Sequence, residues 1–296
     1  MRIVVSGASG FVGKGLQELL SRQNLSANPW VVYYLTTKKK RDFEYQEDNK
    51  WITITNEVDV IQKVMRDLKP DIFVNLAWKG IPDYSLDNSV ANIFLNSIMI
   101  NAAYEAGARR VITTGSCWEY LNPNGIIAES HSLDEGNYFK VAKNSVRKFG
   151  NLISKQFEAE FVWLRLFYVY GRFQNQHSLL PSLIYQGVNG QCPTAKNLAA
   201  KLDFVSVEFV AEVIIELIKA ETLDQNIYNV GTGERTAITD IVNTVRKYFG
   251  YQNFEKEPPK YLQDFAADTS RIKKLNLEKK PSLLQIVPKI IEEMKL

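Results

Sequence analysis

Ser6-Gly7-Ala8-Ser9-Gly10-Phe11-Val12-Gly13 spaces three glycines three residues apart, between an apolar β-branched run and a segment with helical spacing. Such a segment can bind the pyrophosphate of a dinucleotide. Glycine permits the tight turn and a close backbone approach, and the following helix offers unpaired N–H groups and its positive dipole end. The spacing departs from the G-x-G-x-x-G fingerprint, so position and flanks carry the reading. Gly7, Ser9, Gly10, Phe11 and Val12 are the expected contacts; a plain glycine turn is the alternative. A second cluster, Leu35-Thr36-Thr37-Lys38-Lys39-Lys40-Arg41, ends the second strand-like run. A carboxylate there would bind the free ribose hydroxyls of NAD. Hydroxyls followed by four cations suit the 2′-phosphate of NADP(H), with Thr36, Thr37 and Lys38 as contacts. The alternative is a solvated charge run.

These clusters need strands and helices to hold them. Strand-like runs lie at 2–6, Trp30–Leu35, Trp51–Ile54, Asp71–Leu76, Arg110–Thr114 and Glu160–Leu166. Helical spacing marks residues 11–22, the set Val90, Ile93, Phe94, Ile98 and Ala102, and the set Val141, Ala142, Val146, Phe149 and Ile153. Strands alternating with helices predict an α/β fold with a parallel sheet covered on both faces. After Gly171 the pattern loosens, with a short helix near 179–186. A strand–helix–strand unit follows at 203–230, then helices near 237–249 and 281–294. The expected division is a sheet domain of 1–171 plus 201–230 and a smaller domain of 172–200 plus 231–296. A substrate would sit in the cleft between them.

The bulk properties narrow the classes. A chain of 296 residues can bury a large core, and its 45% apolar and 23% charged residues are ordinary for a globular protein. A net charge of +3 with no basic stripe argues against a nucleic-acid partner. No apolar run approaches a membrane span, and the first residues already read as a strand, so a cytoplasmic setting is expected. Cys117 and Cys192 are too few for a disulfide framework. His131 and His177 are too far apart in sequence for a metal cluster, and no metal is expected.

Several ordered segments resemble the extended short-chain dehydrogenase/reductases, the family of sugar-nucleotide epimerases, dehydratases and reductases. The glycine spacing is one, and Asn75-Leu76-Ala77 looks like the strand end that faces the cofactor. Asn92 falls where the family has an asparagine. Leu164-Arg165-Leu166-Phe167-Tyr168-Val169-Tyr170-Gly171 is similar to R-x-x-N-V-Y-G. Asp203-Phe204-Val205-Ser206-Val207-Glu208 resembles R-D-F-x-H-V-D, and Tyr228-Asn229-Val230-Gly231-Thr232-Gly233 resembles Y-N-V-G-x-G. The resemblance implies a Rossmann-type doubly wound sheet with a smaller C-terminal domain for a nucleotide-linked sugar. Thr114–Tyr120, Val146–Phe149 and Gln174–Leu180 look most like the NADPH-dependent NDP-4-keto-6-deoxyhexose reductases of the CDP-abequose, CDP-paratose and dTDP-6-deoxyhexose type. A homodimer is implied too, because family members pair two helices, here near 89–106 and 139–156, into a four-helix interface. Leu95, Met99 and Ile100 put apolar residues on more than one face of the first.

The family reduces a ketone with a Tyr-x-x-x-Lys pair plus a Ser or Thr hydroxyl. The lysine lowers the tyrosine's pKa and holds the nicotinamide ribose. Ser116 matches the hydroxyl and Lys143 the lysine, but four residues before Lys143 stands Phe139. Tyr138 is one residue too early, turned about 100° away on a helix. Three explanations remain open: a tyrosine deliberately replaced, a distorted helix start that lets Tyr138 serve, or a protein using another acid or none. Cys117-Trp118 stands where the family's dehydratases carry Asp-Glu, which argues against dehydration. Trp78, Trp118, Tyr168, Ser178 and Leu179 are the expected substrate contacts. Tyr168 replaces the family's asparagine. Leu202 replaces a phosphate-binding arginine, leaving Arg172 or Lys201 as substitutes. A surface position is the simpler reading of His177. An epimerase and a non-catalytic NADP-binding protein are the competing functions.

Overall fold

The computed structural model of the chain describes residues 1–23, 30–37, 50–275, 277–278 and 280–295. Lys38 and the rest of the basic run to Arg41 lie outside the described residues. The first two-thirds of the chain alternates as its pattern requires. The elements are β1 (Arg2–Ser6), α1 (Phe11–Gln23), β2 (Val31–Thr36), β3 (Lys50–Thr53), α2 (Val58–Leu68) and β4 (Ile72–Asn75). Next come α3 (Leu86–Glu105), β5 (Arg110–Ser116), β6 (Asn124–Ile127), α4 (Tyr138–Gln156) and β7 (Glu160–Leu166). The chain ends with β8 (Tyr168–Tyr170), α5 (Leu179–Val188), β9 (Ala200–Leu202), β10 (Phe204–Ser206), α6 (Val207–Lys219), β11 (Ile227–Val230), β12 (Thr236–Ala237), α7 (Ile238–Tyr248), β13 (Gln263–Ala267) and α8 (Leu283–Lys295).

Seven strands form one sheet in the order β11-β7-β5-β4-β1-β2-β3, every neighbouring pair parallel. Alternating side chains feed two cores. Ile3, Val5, Ile72, Val74, Ile112, Val162 and Leu164 pack with α1 and α6 on one face. Val4, Phe73, Val111, Phe161 and Trp163 pack with α2, α3 and α4 on the other. This is the doubly wound α/β sheet that the alternation predicts. The strand order reverses beside β1, because β2 lies on one side of it and β4 on the other. Ligands of such sheets bind at that switch point, outside the carboxyl ends of the strands.

A second, four-stranded sheet runs β12-β9-β13-β6 and shares a core with α5, α7 and α8. Two of its contributors come from early in the chain. β6 supplies an edge strand, and Cys117, Tyr120, Phe167 and Tyr170 are buried in that core. Asp203 sits between β9 and β10, where the chain leaves the small sheet. One carboxylate oxygen accepts from Thr232 N (2.8 Å) and Thr232 Oγ1 (2.6 Å). The other accepts from Gly233 N (2.8 Å) and Ala267 N (3.1 Å). Burial pushes this carboxyl's pKa up even so. Among the described residues, no helix is long and apolar enough to cross a membrane.

Candidate active site

The turn after β1 is a cradle that only glycines can form. Gly7 has φ +68°, and a Cβ there would stand 2.6 Å from the Leu76 carbonyl carbon. A Cβ on Gly13 would stand 2.3 Å from the Gly7 oxygen. The first turn of α1 therefore lies against the glycine loop, with its N–H groups at the mouth of the cleft, an arrangement that suits a pyrophosphate. Beside it lies a cavity of about 410 Å³ lined by Gly7, Ser9, Gly10, Thr36, Thr37, Leu76 and others. Ser9 Oγ and Thr36 Oγ1 are 3.2 Å apart and share a hydrogen bond.

A run of amides under the cradle fixes the far wall. Ser6 Oγ donates to Asn75 Oδ1 (2.6 Å), and Asn75 Nδ2 donates to Asn96 Oδ1 (2.8 Å). Asn92 then grips the loop after β4, accepting from Lys79 N (2.8 Å) and donating to Lys79 O (2.9 Å). Asn92 and Asn96 are buried one turn apart on α3, so the helix carries the loop that presents Leu76, Ala77 and Trp78.

The cleft continues into a larger cavity of about 1030 Å³ where β5, α4 and β8 meet. Its register on α4 is set by a cap: the Asn137 side chain accepts from Lys140 N (3.0 Å), so the helix begins at Tyr138. Phe139, Ala142, Lys143 and Val146 consequently share the buried face, while Tyr138 is 54% exposed and points away. The structure thus places Phe139, not Tyr138, in the cavity with Ser116 and Lys143. Its ring is walled by aromatics at 5.6 Å (Trp78), 5.1 Å (Tyr84) and 6.1 Å (Trp118) between centroids, all edge-on.

Lys143 Nζ donates to Thr114 O at 2.9 Å and lies 3.6 Å over the Trp78 ring. Desolvation pulls its ammonium down to about 7, against the opposing charge of Glu119. Ser116 Oγ accepts from Trp118 N at 3.2 Å, which leaves its own proton free for a ligand oxygen. Glu119 completes a capping box by accepting from Ser116 N at 2.8 Å. Fully buried, that carboxylate also meets Arg165 Nε (2.9 Å) and Trp163 Nε1 (3.1 Å). Arg165 continues to Tyr120 Oη (3.0 Å) and Glu129 O (2.9 Å). Burial raises the Tyr168 phenol above its ordinary range.

The large cavity brings together Gly7, Ser9, Gly10, Phe11, Val12, Leu76, Trp78, Ser116, Trp118, Phe139, Lys143, Tyr168, Ser178 and Leu179. Thr36, Thr37 and Ala77 line the neighbouring one. His177 is exposed. Sequence reasoning missed Ile54 and Asn56, which close the smaller cavity, and Lys14, which lines the larger. It also missed Glu119 and Tyr84. The Ser116-x-x-Glu119 spacing is a capping-box signal that pointed to Glu119; Tyr84 sits in a loop with no such mark.

Residues 3–231 match the model of the NAD dependent epimerase/dehydratase family. The chain belongs to that family. Among characterised members, GDP-6-deoxy-D-talose 4-dehydrogenase of Aggregatibacter actinomycetemcomitans is 26% identical over 244 residues, covering 79% of this chain and 75% of the relative. CDP-abequose synthase of Salmonella typhimurium is 23% identical over 258 residues, covering 81% and 78%. Among solved structures, the UDP-glucose 4-epimerase of Thermotoga maritima superposes with a TM-score of 0.85 at 17% identity, over 100% of this chain and 99% of that one. The glycine cradle, Ser116, Phe139 and Lys143 line one cavity of this chain.

Proposed function

We propose that this chain is an NADPH-dependent reductase of the C4 ketone of a nucleotide-linked 4-keto-6-deoxysugar, slowed by the phenylalanine at position 139. The observation that carries the reading is the sharing of one cavity by the glycine cradle, the Ser116 hydroxyl and Lys143. Relatives named for CDP-abequose and GDP-6-deoxy-D-talose support the substrate class. Bound in the cradle, the reduced nicotinamide supplies the hydride. Ser116 donates a hydrogen bond to the carbonyl oxygen and polarises it, and Lys143 orients the nicotinamide ribose. Trp78, Trp118, Tyr168, Ser178 and Leu179 form the walls against which the sugar lies.

The choice of NADP(H) rests on Thr36, Thr37 and the cations that follow them. NADPH is expected to bind markedly more tightly than NADH, and Lys38→Ala with Lys39→Ala to weaken NADPH more than NADH. Equal affinities in the unmodified chain would overturn that choice. The activity test is NADPH oxidation across a panel of CDP-, dTDP- and GDP-linked 4-keto-6-deoxysugars, run with the chain as it is and with Phe139→Tyr. Oxidation with one of them establishes the reaction; none with either protein sinks it. A sugar-nucleotide epimerase is the second reading, favoured by the superposition on UDP-glucose 4-epimerases, one of them, from Thermus thermophilus, solved in complex with NAD. It would show interconversion of two sugars without net NADPH consumption.

A homodimer through α3 and α4 belongs to the same reading. Met99 and Ile100 face the core, so they are not the contact residues. Leu86, Val90 and Phe94 on α3 and Val141, Phe149 and Leu152 on α4 are exposed instead, and they form the apolar face a second copy would cover. A solution mass near 33.8 kDa at micromolar concentration would count against it.

A further inference from the structure

We propose that Lys143 is itself the proton donor of this site, passing an ammonium proton directly to the substrate's carbonyl oxygen without a tyrosine between them. The proposal rests on the reductase reading above. Its starting point is what the large cavity contains. Among the described residues lining it, the ionisable side chains are Lys14, Lys143, Tyr168 and Tyr170. Lys14 belongs to the other end, where its Nζ lies 5.2 Å over the Phe173 ring beside the glycine cradle. Burial raises both phenols, so neither is matched to proton transfer near neutrality. Lys143 remains.

Its geometry fits the task. One N–H is given to Thr114 O and the ammonium rests on the Trp78 face, which holds Nζ in place without neutralising it. An ammonium has three N–H groups and Thr114 O takes one, so two remain, for the ribose and for the carbonyl oxygen. The Phe139 ring centroid is 5.9 Å from Nζ, and the ring puts no hydroxyl between the lysine and the cavity. Glu119, from the 3-10 turn after β5, is the charged group that acts on Nζ, and it is already paired with Arg165 from β7. Arg147, further along α4, is held low mainly by burial and is also within reach of Glu119's charge. Lys140 is paired with Asp134, and the nearby Tyr84 phenol is pushed up by burial. An ammonium brought by desolvation to about 7 is well matched as an acid at neutral pH.

The step balances. The carbonyl carbon gains the hydride of reduced nicotinamide as the carbon–oxygen π bond breaks. The oxygen takes a proton from Nζ, so an N–H bond breaks and an O–H bond forms. The products are a secondary alcohol, oxidised nicotinamide and neutral Lys143, which regains its proton from solvent. Only the ammonium form reacts, so the rate falls as pH rises through the lysine's midpoint.

Two measurements test this. With ¹³Cε-labelled lysine, the resonance lost in Lys143→Arg identifies Lys143, and its titration is followed in the presence and absence of NADP⁺. A midpoint near 7 is expected, whereas titration at the ordinary lysine value of about 10.4 overturns the proposal. Single-turnover NADPH oxidation is then followed against pH with the ketosugar that the panel identifies. The unmodified chain should lose about tenfold per pH unit above the midpoint. Phe139→Tyr should stay level to higher pH, because the phenol takes over. Lys143→Arg keeps the cation but holds its proton and should abolish turnover by the unmodified chain. Matching pH profiles for the unmodified chain and Phe139→Tyr, or surviving turnover in Lys143→Arg, overturn the proposal. If Phe139→Tyr is active and the unmodified chain is inert at every pH, the reductase reading stands and the lysine proposal falls. If neither turns over, both fall.

Discussion

At the glycine loop the cleft is made of backbone, and the side chains that matter are the ones left out. At the far end, around residue 139, the cavity is made of side chains, aromatic ones with a serine and a lysine. Gly7 and Gly13 leave no room for a Cβ, so the loop tolerates almost no variation. The corner around residue 139 has an aromatic wall of Trp78, Tyr84, Trp118 and Phe139 around a lysine and a serine. On the proposed reading, binding is thus insulated from changes that would retune or silence the reaction.

Four substitutions would break or sharpen this contrast. The largest effect is expected beneath the corner, at Glu119→Ala. It would leave Arg165 buried without its partner, at a cost of about 3–5 kcal/mol in unfolding free energy. A urea-denaturation midpoint close to that of the unmodified chain would mean that the corner does not depend on this pair. Gly13→Ala comes next. Forcing the Cβ against the Gly7 oxygen should cost about 1–3 kcal/mol, read as roughly 5–150-fold weaker NADPH binding by titration calorimetry. Unchanged affinity would show that close backbone approach is not what holds the phosphates. Phe139→Tyr should raise the single-turnover rate by about tenfold or more while leaving NADPH affinity nearly unchanged. A change in affinity larger than the change in rate would erase the division between the two ends. Tyr138→Phe is the smallest, within about 0.5 kcal/mol of the unmodified chain in stability and with no effect on turnover. Loss of activity there would put the wrong residue of α4 in the cavity.

The contrast also explains what the sequence made legible. The sheet and its helices were readable because each strand alternates between two cores and each long helix repeats its buried face. The orientation of Phe139 was readable because Lys143 lies one turn on, and the Asn137 cap then holds that register. The small sheet was not. Its strands are two to five residues long, and β6 pairs with β13 across more than a hundred positions, so periodicity has too little to work on. Glu119 was missed because a carboxylate in a turn after a strand reads as solvent-facing until Arg165 and Trp163 are brought to it from β7. Tyr84 meets Phe139 through a loop whose path depends on Asn92, a contact that spacing alone does not reveal.

Asp203 has a consequence for how the molecule melts. Its two carboxylate oxygens tie the start of β10, the loop after β11 and the end of β13, which are the places where the chain passes between the large sheet and the small one. Neither sheet can come apart without stranding that buried carboxylate or the N–H groups it satisfies, each an expensive orphan away from water. The two parts are therefore coupled in their cooperativity: heating should unfold them in a single calorimetric transition, with no temperature at which the small sheet has melted and the large one survives.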